Sequence, residues 1–387
     1  MNKAKIGILH PKFAGGGSES VALWVLSALK DDYDVSLITS GKVDLQQLNE
    51  YYGTNLDPKG FSIIRISMPF YLGNTNKLAA LRGRLIQRYC QHLAPSFDLM
   101  VSTYDFCDFG TRGIQFIADF SFDEELRREV DLIPKDWKKW YHQDIFLRKI
   151  YLKFCDWISP FNSEVRKNDF VIANSNWTAG LIRKKYGIEV CIIYPPVTGN
   201  FPTVPFGKRE KGFACISRVV PEKRIDTIIE ILERVRQRGY NIHLHIVGGI
   251  PDDHYGKSLK KIFQKHREWI FLEGWLGEKK KKEMIAKHRF GISGCRNESF
   301  GIAVAEMVKG GCIVFVPNSG GQTEIIDHPN LVYEDIKDAV QKIEMVLRDE
   351  KMQENLLRHL LLNSQKFSVE NFQKEVRNIV SEFLSKK

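Results

Sequence analysis

The chain has 387 residues, 43% of them hydrophobic and 27% charged. It is too long for one hydrophobic core and too apolar to be disordered, so two domains with a cleft between them are expected. A formal charge of +10 and a pI near 9.1 point to an anionic partner, either lipid or phosphorylated. The absence of a recognition helix, zinc-finger spacing or RNP-like aromatic pattern argues against nucleic acid. Seven scattered cysteines, none in a C-x-x-C pair, read as reduced thiols. No signal-peptide region or membrane-length apolar run occurs, so a cytoplasmic chain is expected, with at most peripheral contact at the inner face of a membrane.

In chain order, a strand over residues 6–9 is followed by a helix over 20–30, a strand over 35–39, and strands over 62–66 and 98–102. The rhythm restarts after Tyr194-Pro-Pro-Val197 and Phe201-Pro-Thr-Val-Pro205, with strands over 212–217, 243–248, 290–293 and 313–317. Strand-helix alternation predicts α/β architecture, with parallel sheets covered on both faces. The Pro-rich stretch reads as the interdomain linker, giving domains over 1–197 and 198–367. A closing amphipathic helix over 368–387 carries Phe372, Val376, Ile379, Val380 and Phe383 on one stripe.

The first strand runs into Gly15-Gly16-Gly17-Ser18-Glu19-Ser20 at a helix start. There Gly16 and Gly17 let backbone amides approach an anion. Ser20 stands where the third glycine of G-x-G-x-x-G belongs, and the lysine of a P-loop is missing, which weakens dinucleotide and ATP readings. In the second half, Arg218 and Lys223 follow a strand end beside a helix start, where α/β sheets hold phosphates. Two fixed cations there neutralise a diphosphate without metal. Asn297-Glu298-Ser-Phe300-Gly301-Ile302 leads to Glu306, placing Glu298 in a loop and Glu306 about two turns down a helix. Two carboxylates in different layers suit one sugar and one ribose. Asn318-Ser-Gly-Gly321 adds a third polar loop at a strand end.

Other constellations read blandly. Asp32-Tyr-Asp34 precedes a strand and reads as a solvated turn. The ten histidines lack an H-x-x-x-H spacing, and His243 and His245 alternate with apolar residues, so no metal site is expected. No nucleophile elbow occurs. The run from Lys279 to Lys282 reads as a solvated helix start. Two basic aromatic regions are candidates for an anionic membrane surface: residues 78–93, with Leu78, Leu81, Leu85 and Tyr89 on one stripe, and Trp137 to Tyr141 followed by residues 146–157.

Taken together, His10-Pro11 with Gly15 to Val21, Ala173-Asn-Ser-Asn-Trp177-Thr, Tyr194-Pro-Pro196, Asn297 to Ile302 and Asn318 to Gly321 resemble the GT-B-fold, family 4 retaining glycosyltransferases over nearly the full length. The narrower likeness is to the dolichol-pathway α-1,2-mannosyltransferases. The resemblance implies two Rossmann-like domains, an acceptor-binding one first and a nucleotide-sugar-binding one second, with the closing helix returning to the first. It implies metal-independent transfer of a hexose, mannose from GDP-mannose before a UDP-sugar, to a glycan or lipid-linked acceptor. Arg218 and Lys223 would take the diphosphate, Glu298 a hydroxyl of the donor sugar and Glu306 the ribose. Amides of Phe300, Gly301 and Ile302 would hold the donor, Trp275-Leu276 would flank the base, and Gly16 and Gly17 would approach the phosphates. Ala118 stands where relatives carry a histidine, so Asp119 becomes the candidate polar group at the reaction centre. Ser20 likewise replaces a common arginine. An epimerase of the same fold, or an inactive sugar-nucleotide binder favoured by the altered histidine position, are the readings from other classes.

Overall fold

Short runs of apolar residues with one buried side chain after another make strands that need cover on both faces, and both halves of the chain answer with helices. The computed structural model describes residues 3–13, 15–68, 78–130, 146–160 and 167–386. They divide into two compact units. The first draws on Met1–Arg128, Lys138–Pro196 and Val369–Lys387, and the second on Glu129–Trp137 and Val197–Ser368.

In the first unit the elements are β1 (Lys5–Leu9), α1 (Gly17–Leu29), β2 (Asp34–Thr39), α2 (Leu45–Tyr52), β3 (Ser62–Arg65), α3 (Ala79–Leu93), β4 (Leu99–Ser102), β5 (Ile114–Ile117), α4 (Glu124–Val130, its last two residues counted with the second unit), α5 (Phe146–Ile158), β6 (Phe170–Ala173), α6 (Asn176–Tyr186) and β7 (Cys191–Ile192). The strands form one sheet in the order β3-β2-β1-β4-β5-β6-β7, with every pairing parallel. Helix α1 starts at Gly17, three residues earlier than the periodicity suggests, because Gly16 already holds an extended cap conformation.

The second unit contains β8 (Glu210–Ile216), α7 (Ile225–Gln237), β9 (Leu244–Val247), α8 (His254–Lys265), β10 (Ile270–Gly274), α9 (Glu278–Lys287), β11 (His288–Ile292), α10 (Ile302–Lys309), β12 (Ile313–Pro317), α11 (Gln322–Ile326), β13 (Val332–Tyr333), α12 (Ile336–Arg348) and α13 (Glu350–Ser364). Its sheet, also all parallel, runs β10-β9-β8-β11-β12-β13. Phe213 stacks on Phe290 at 5.1 Å, and both are fully buried with Phe315. Counted within this unit, the order is 3-2-1-4-5-6, which reverses between β8 and β11. That reversal opens a crevice at the carboxyl ends of these two strands.

The last helix, α14 (Val369–Ser385), belongs to the first unit. Its Phe372, Val376, Val380 and Phe383 share one core with Leu23 and Leu26 of α1. At about 1.5–3 kcal/mol for each fully buried large apolar side chain, that stripe is ample to hold the helix.

The two regions considered for membrane contact part company. Helix α3 buries Ile86 and Cys90 in a core with Met100 and Phe109, and Gln87 donates to Ser159 at 2.9 Å. The expected free stripe at Leu78, Leu81, Leu85 and Tyr89 is therefore half-buried packing surface. Helix α5 instead exposes Phe146, Leu147, Ile150, Phe154 and Trp157. The segment from Trp137 to Tyr141 lies outside the described residues. Among the described residues no helix is long and apolar enough to cross a membrane. The seven cysteines are unbridged, six of them buried, and Asp32 and Asp34 sit exposed at a turn and strand start.

Candidate functional site

Strand β8 ends at Ile216 and the chain turns through Ser217 to Arg224, putting Arg218 on the surface and Lys223 half-buried. Strand β11 ends at Ile292, and its following loop carries Glu298. Because β8 and β11 are neighbours, 75 residues of sequence collapse to one contact: Lys223 Nζ forms an ion pair with Glu298 Oε2. The same ammonium reaches Cys295 Sγ at 3.6 Å. Burial pulls Lys223 down, but the charge and hydrogen bond of Glu298 outweigh it and hold the ammonium above its ordinary range. For Glu298, burial works upward, while Lys223 and the Arg218 charge together hold the carboxyl below its ordinary value. Lys223 and Glu298 are thus both charged near neutrality. Burial pushes the Cys295 thiol up to about 12, leaving it protonated and no nucleophile.

Glu298 is locked from behind by the glycine loop after β12. Its backbone pairs with Gly320, and its carbonyl accepts from the Gly321 amide at 2.7 Å. Gln322 closes the loop by donating to the Cys295 carbonyl at 2.6 Å. Gly320 has φ of 82°, and a Cβ there would lie 2.3 Å from the Glu298 oxygen. Gly320→Ala is therefore expected to cost about 1–3 kcal/mol in backbone strain alone, and to lower turnover by displacing Glu298. Denaturant unfolding alongside transfer rates checks this, and a variant with wild-type stability and rate would refute the locking role.

Helix α10 begins at Ile302, capped by Gly301 in the left-handed region with no side-chain cap. The amides of Phe300, Gly301 and Ile302 thus stand at a helix start, which carries partial positive charge. The Phe300 ring itself is core, edge-on to Phe367 at 5.3 Å. Glu306 is the fifth residue of α10, little more than one helical turn in, because the helix starts later than the carboxylate spacing suggested.

Glu306 has a partner that the sequence concealed. Lys281 on α9 donates to both its carboxylate oxygens, at 2.9 and 3.0 Å, and bonds Glu278 at 2.5 Å. Lys281 is buried, whereas Lys279 and Lys280 are exposed. The expected solvated lysine run is half inward-facing, since a helix turns successive residues by about 100°. Burial drives the Glu306 carboxyl upward, and Glu278 adds to this against the pull of Lys281. Leu276 lies half-buried in the turn that precedes Glu278, with Trp275 exposed beside it. Glu306 and the 275–278 turn therefore belong to one corner, tied by Lys281.

The remaining candidates lie in the first unit. Gly16 and Gly17 are exposed at the start of α1. Tyr52 steadies this turn, its hydroxyl lying 2.9 Å from both the Gly16 carbonyl and a carboxylate oxygen of buried Glu19, which share its one proton. Asp119 follows β5 and accepts from the Tyr104 hydroxyl and the Ser121 amide, both at 2.8 Å. Ser121 also donates to Asp105 at 3.0 Å. Burial and the Asp119 charge raise Asp105 to about 7, so it titrates near neutrality. Sequence reading missed Asp105, which stands out only once the ends of β4 and β5 are adjacent.

Residues 200–358 match the family glycosyl transferases group 1. The human alpha-1,3/1,6-mannosyltransferase ALG2 is 25% identical over 272 residues, covering 62% of this chain and 65% of that protein. A Dictyostelium discoideum GDP-Man:Man(3)GlcNAc(2)-PP-Dol alpha-1,2-mannosyltransferase is 26% identical over 177 residues, or 40% of this chain and 35% of its own. The chain therefore spans less than two thirds of each of these relatives. Among solved structures, Anabaena Alr3699/HepE in complex with UDP-glucose aligns with a TM-score of 0.70 at 15% identity, covering 98% of this chain and 100% of that one. WaaG, a glycosyltransferase involved in lipopolysaccharide biosynthesis, aligns at 0.69 and 15%, covering 97% and 99%. The chain carries a glycosyltransferase domain over residues 200–358, and its two parallel sheets have the GT-B fold.

Proposed function

We propose that this chain, a GT-B protein with a group 1 glycosyltransferase domain, is a retaining hexosyltransferase that moves mannose from GDP-mannose to a glycan or lipid-linked acceptor without a metal ion. The observation that carries the reading is the Lys223–Glu298 pair at the carboxyl ends of β8 and β11, with the Arg218 charge acting on both. The names of the mannosyltransferase relatives support the choice of sugar and nucleotide.

In this reading the second unit binds the donor and the first the acceptor. Arg218 and Lys223 take the diphosphate. An ammonium has three donors, so Lys223 keeps Glu298 while it binds a phosphate oxygen. Glu298 accepts from a hydroxyl of the transferred sugar, Glu306 from the ribose, and the amides of Phe300, Gly301 and Ile302 face the phosphates. The bond between the sugar's anomeric carbon and the diphosphate breaks as the acceptor hydroxyl attacks from the same face. Its proton passes to the departing diphosphate oxygen. Stabilisation of that leaving charge by two cations and a helix start is the main catalytic contribution.

A calorimetric panel of GDP, GDP-mannose, UDP and UDP-glucose tests the donor, and tighter binding of the uridine pair would replace mannose transfer with UDP-sugar transfer. Initial rates are expected to be the same in EDTA as with magnesium or manganese, because Arg218 and Lys223 supply the charge. Loss on chelation that magnesium or manganese restores would overturn this. Incubating GDP-mannose without acceptor and separating products by chromatography detects an epimerase; no turnover with any acceptor identifies an inactive binder.

The exposed stripe of α5, with Lys149 and Lys153 exposed beside it, supports peripheral contact with an anionic lipid surface, consistent with a cytoplasmic protein acting on a lipid-linked acceptor. Binding to phosphatidylglycerol vesicles is expected to weaken steeply with salt, and Phe154→Ser with Trp157→Ser to reduce it further. Binding unaffected by salt or by these changes would remove the lipid assignment.

A further inference from the structure

The opposite edge of the second sheet carries a cluster that sugar transfer does not use. We propose that Glu210, His243, His245 and His288 form a binding site for one divalent transition-metal ion, zinc in the first instance, at the amino ends of β8, β9 and β11. These four side chains bring one ligand atom each to within 4.8 Å of one another. Strand β8 runs seven residues from Glu210 to Ile216, which separates this edge from the Lys223–Glu298 corner by about 20 Å.

The separations match a metal shell. Nitrogen ligands at about 2.0–2.1 Å in a tetrahedron lie about 3.3 Å apart. His243 Nε2 is 3.3 Å from His288 Nε2 and 3.2 Å from Glu210 Oε2, and His288 Nε2 is 3.7 Å from the same oxygen. The tautomers are also set for ligation. His288 Nδ1 lies 2.7 Å from the Met284 carbonyl, which can only accept, so that nitrogen carries the proton and Nε2 the lone pair. His245 Nδ1 lies 2.6 Å from Glu273 Oε1, which assigns its proton in the same way and leaves Nε2 for a metal. A ligating imidazole held from behind by a carbonyl or a carboxylate is the usual outer support of zinc sites.

The backbone is shaped to assemble the cluster. Register slips between His288 and Phe290, setting His288 opposite Glu210 rather than Lys211 and so on the face of Glu210. Gly212 makes room for the His243 ring, since a Cβ there would lie 2.1 Å from His243 Nε2. Phe271 stacks on His245 at 4.8 Å and walls the site on one side. Two carboxylates, Glu210 at the ion and Glu273 behind His245, balance the metal charge against the nearby Arg236. Three imidazoles with one carboxylate favour zinc over magnesium or calcium, which prefer oxygen. The ligands are 33, 2 and 43 residues apart, which is why no metal-binding spacing shows in the sequence.

The test uses the full chain, free of any affinity tag and stripped by chelation and dialysis, with zinc alone as the probe. One equivalent is expected to bind against a competing chelator, and cobalt is expected to give the intense visible bands of a four-coordinate site. His243→Gln, at a half-exposed edge where folding is not at stake, should weaken binding more than about 100-fold. Glu273→Gln touches no metal and should weaken it by about 10–100-fold, as loss of an outer partner does. Zinc should raise the melting temperature of the wild type and not of His243→Gln. No stoichiometric zinc, or an equivalent that survives His243→Gln, would leave the cluster as hydrogen-bonded histidines only. That failure would leave the donor-binding assignments untouched, since metal content and not transfer is measured.

Discussion

Glu298→Ala is expected to reduce turnover by about 10²–10³-fold, in the range for loss of one preorganised polar group at a reacting centre, while free GDP binds almost as to the wild type. The reason lies in the Lys223–Glu298 pair. In the proposed reading Glu298 accepts from the transferred sugar, which free nucleotide lacks, and Lys223 binds phosphate through its other donors whether or not Glu298 is present. Glu306→Ala should show the reverse pattern. A ribose contact is equal in the ground and transition states, so its loss weakens free GDP by about 1.5–3 kcal/mol with a smaller effect on turnover. Lys281 keeps Glu278 in that variant, which preserves the fold. Calorimetry with GDP and steady-state rates read both arms. If free GDP binds both variants as it binds the wild type, Glu306 is not the ribose ligand.

Lys281→Met should be the most damaging change to stability. Glu278 and Glu306 have side chains only 10% and 14% exposed, and without Lys281 they are left as two carboxylates in one dry corner with Lys282, 3.5 Å from Glu278, as the remaining cation. Removing one partner of a buried ion pair costs about 3–5 kcal/mol. The loss should depend on pH in a definite direction. The Glu306 carboxyl is raised already by burial, and removal of Lys281 raises it further. The folded variant then holds protons that the unfolded chain releases above its ordinary carboxylate range, so its stability falls as pH rises from there. Denaturant unfolding at pH 5 should recover part of the deficit seen at pH 7.5. An equal deficit at both values, or one below about 1 kcal/mol, would show that the corner tolerates the bare carboxylates. GDP affinity should fall together with stability, because Glu306 would lose the hydrogen bonds that aim it.

The alternation of short apolar runs and helices determined two parallel sheets, since a strand buried on both faces must be apolar throughout and needs helices above and below it. The strand-end loops were legible for the same local reason: glycines, a carboxylate at a helix start and paired cations are chemistry written within ten residues. The stripe on the last helix was also local, being a matter of 3.6-residue spacing. What only the tertiary structure decided was which loops meet. The order β10-β9-β8-β11-β12-β13 sets Lys223 on Glu298, and no pattern in the chain states which strands are neighbours. It turned Lys281 inward from a run that reads as solvated, because burial depends on what faces the helix. It separated α3, packed on its sheet, from α5, whose apolar stripe stays exposed, although both read as basic amphipathic helices. It gathered Glu210, His243, His245 and His288 through strand adjacency and one slip in register, an arrangement that sequence spacing cannot encode because each ligand comes from a different strand or strand end, except for one neighbouring pair.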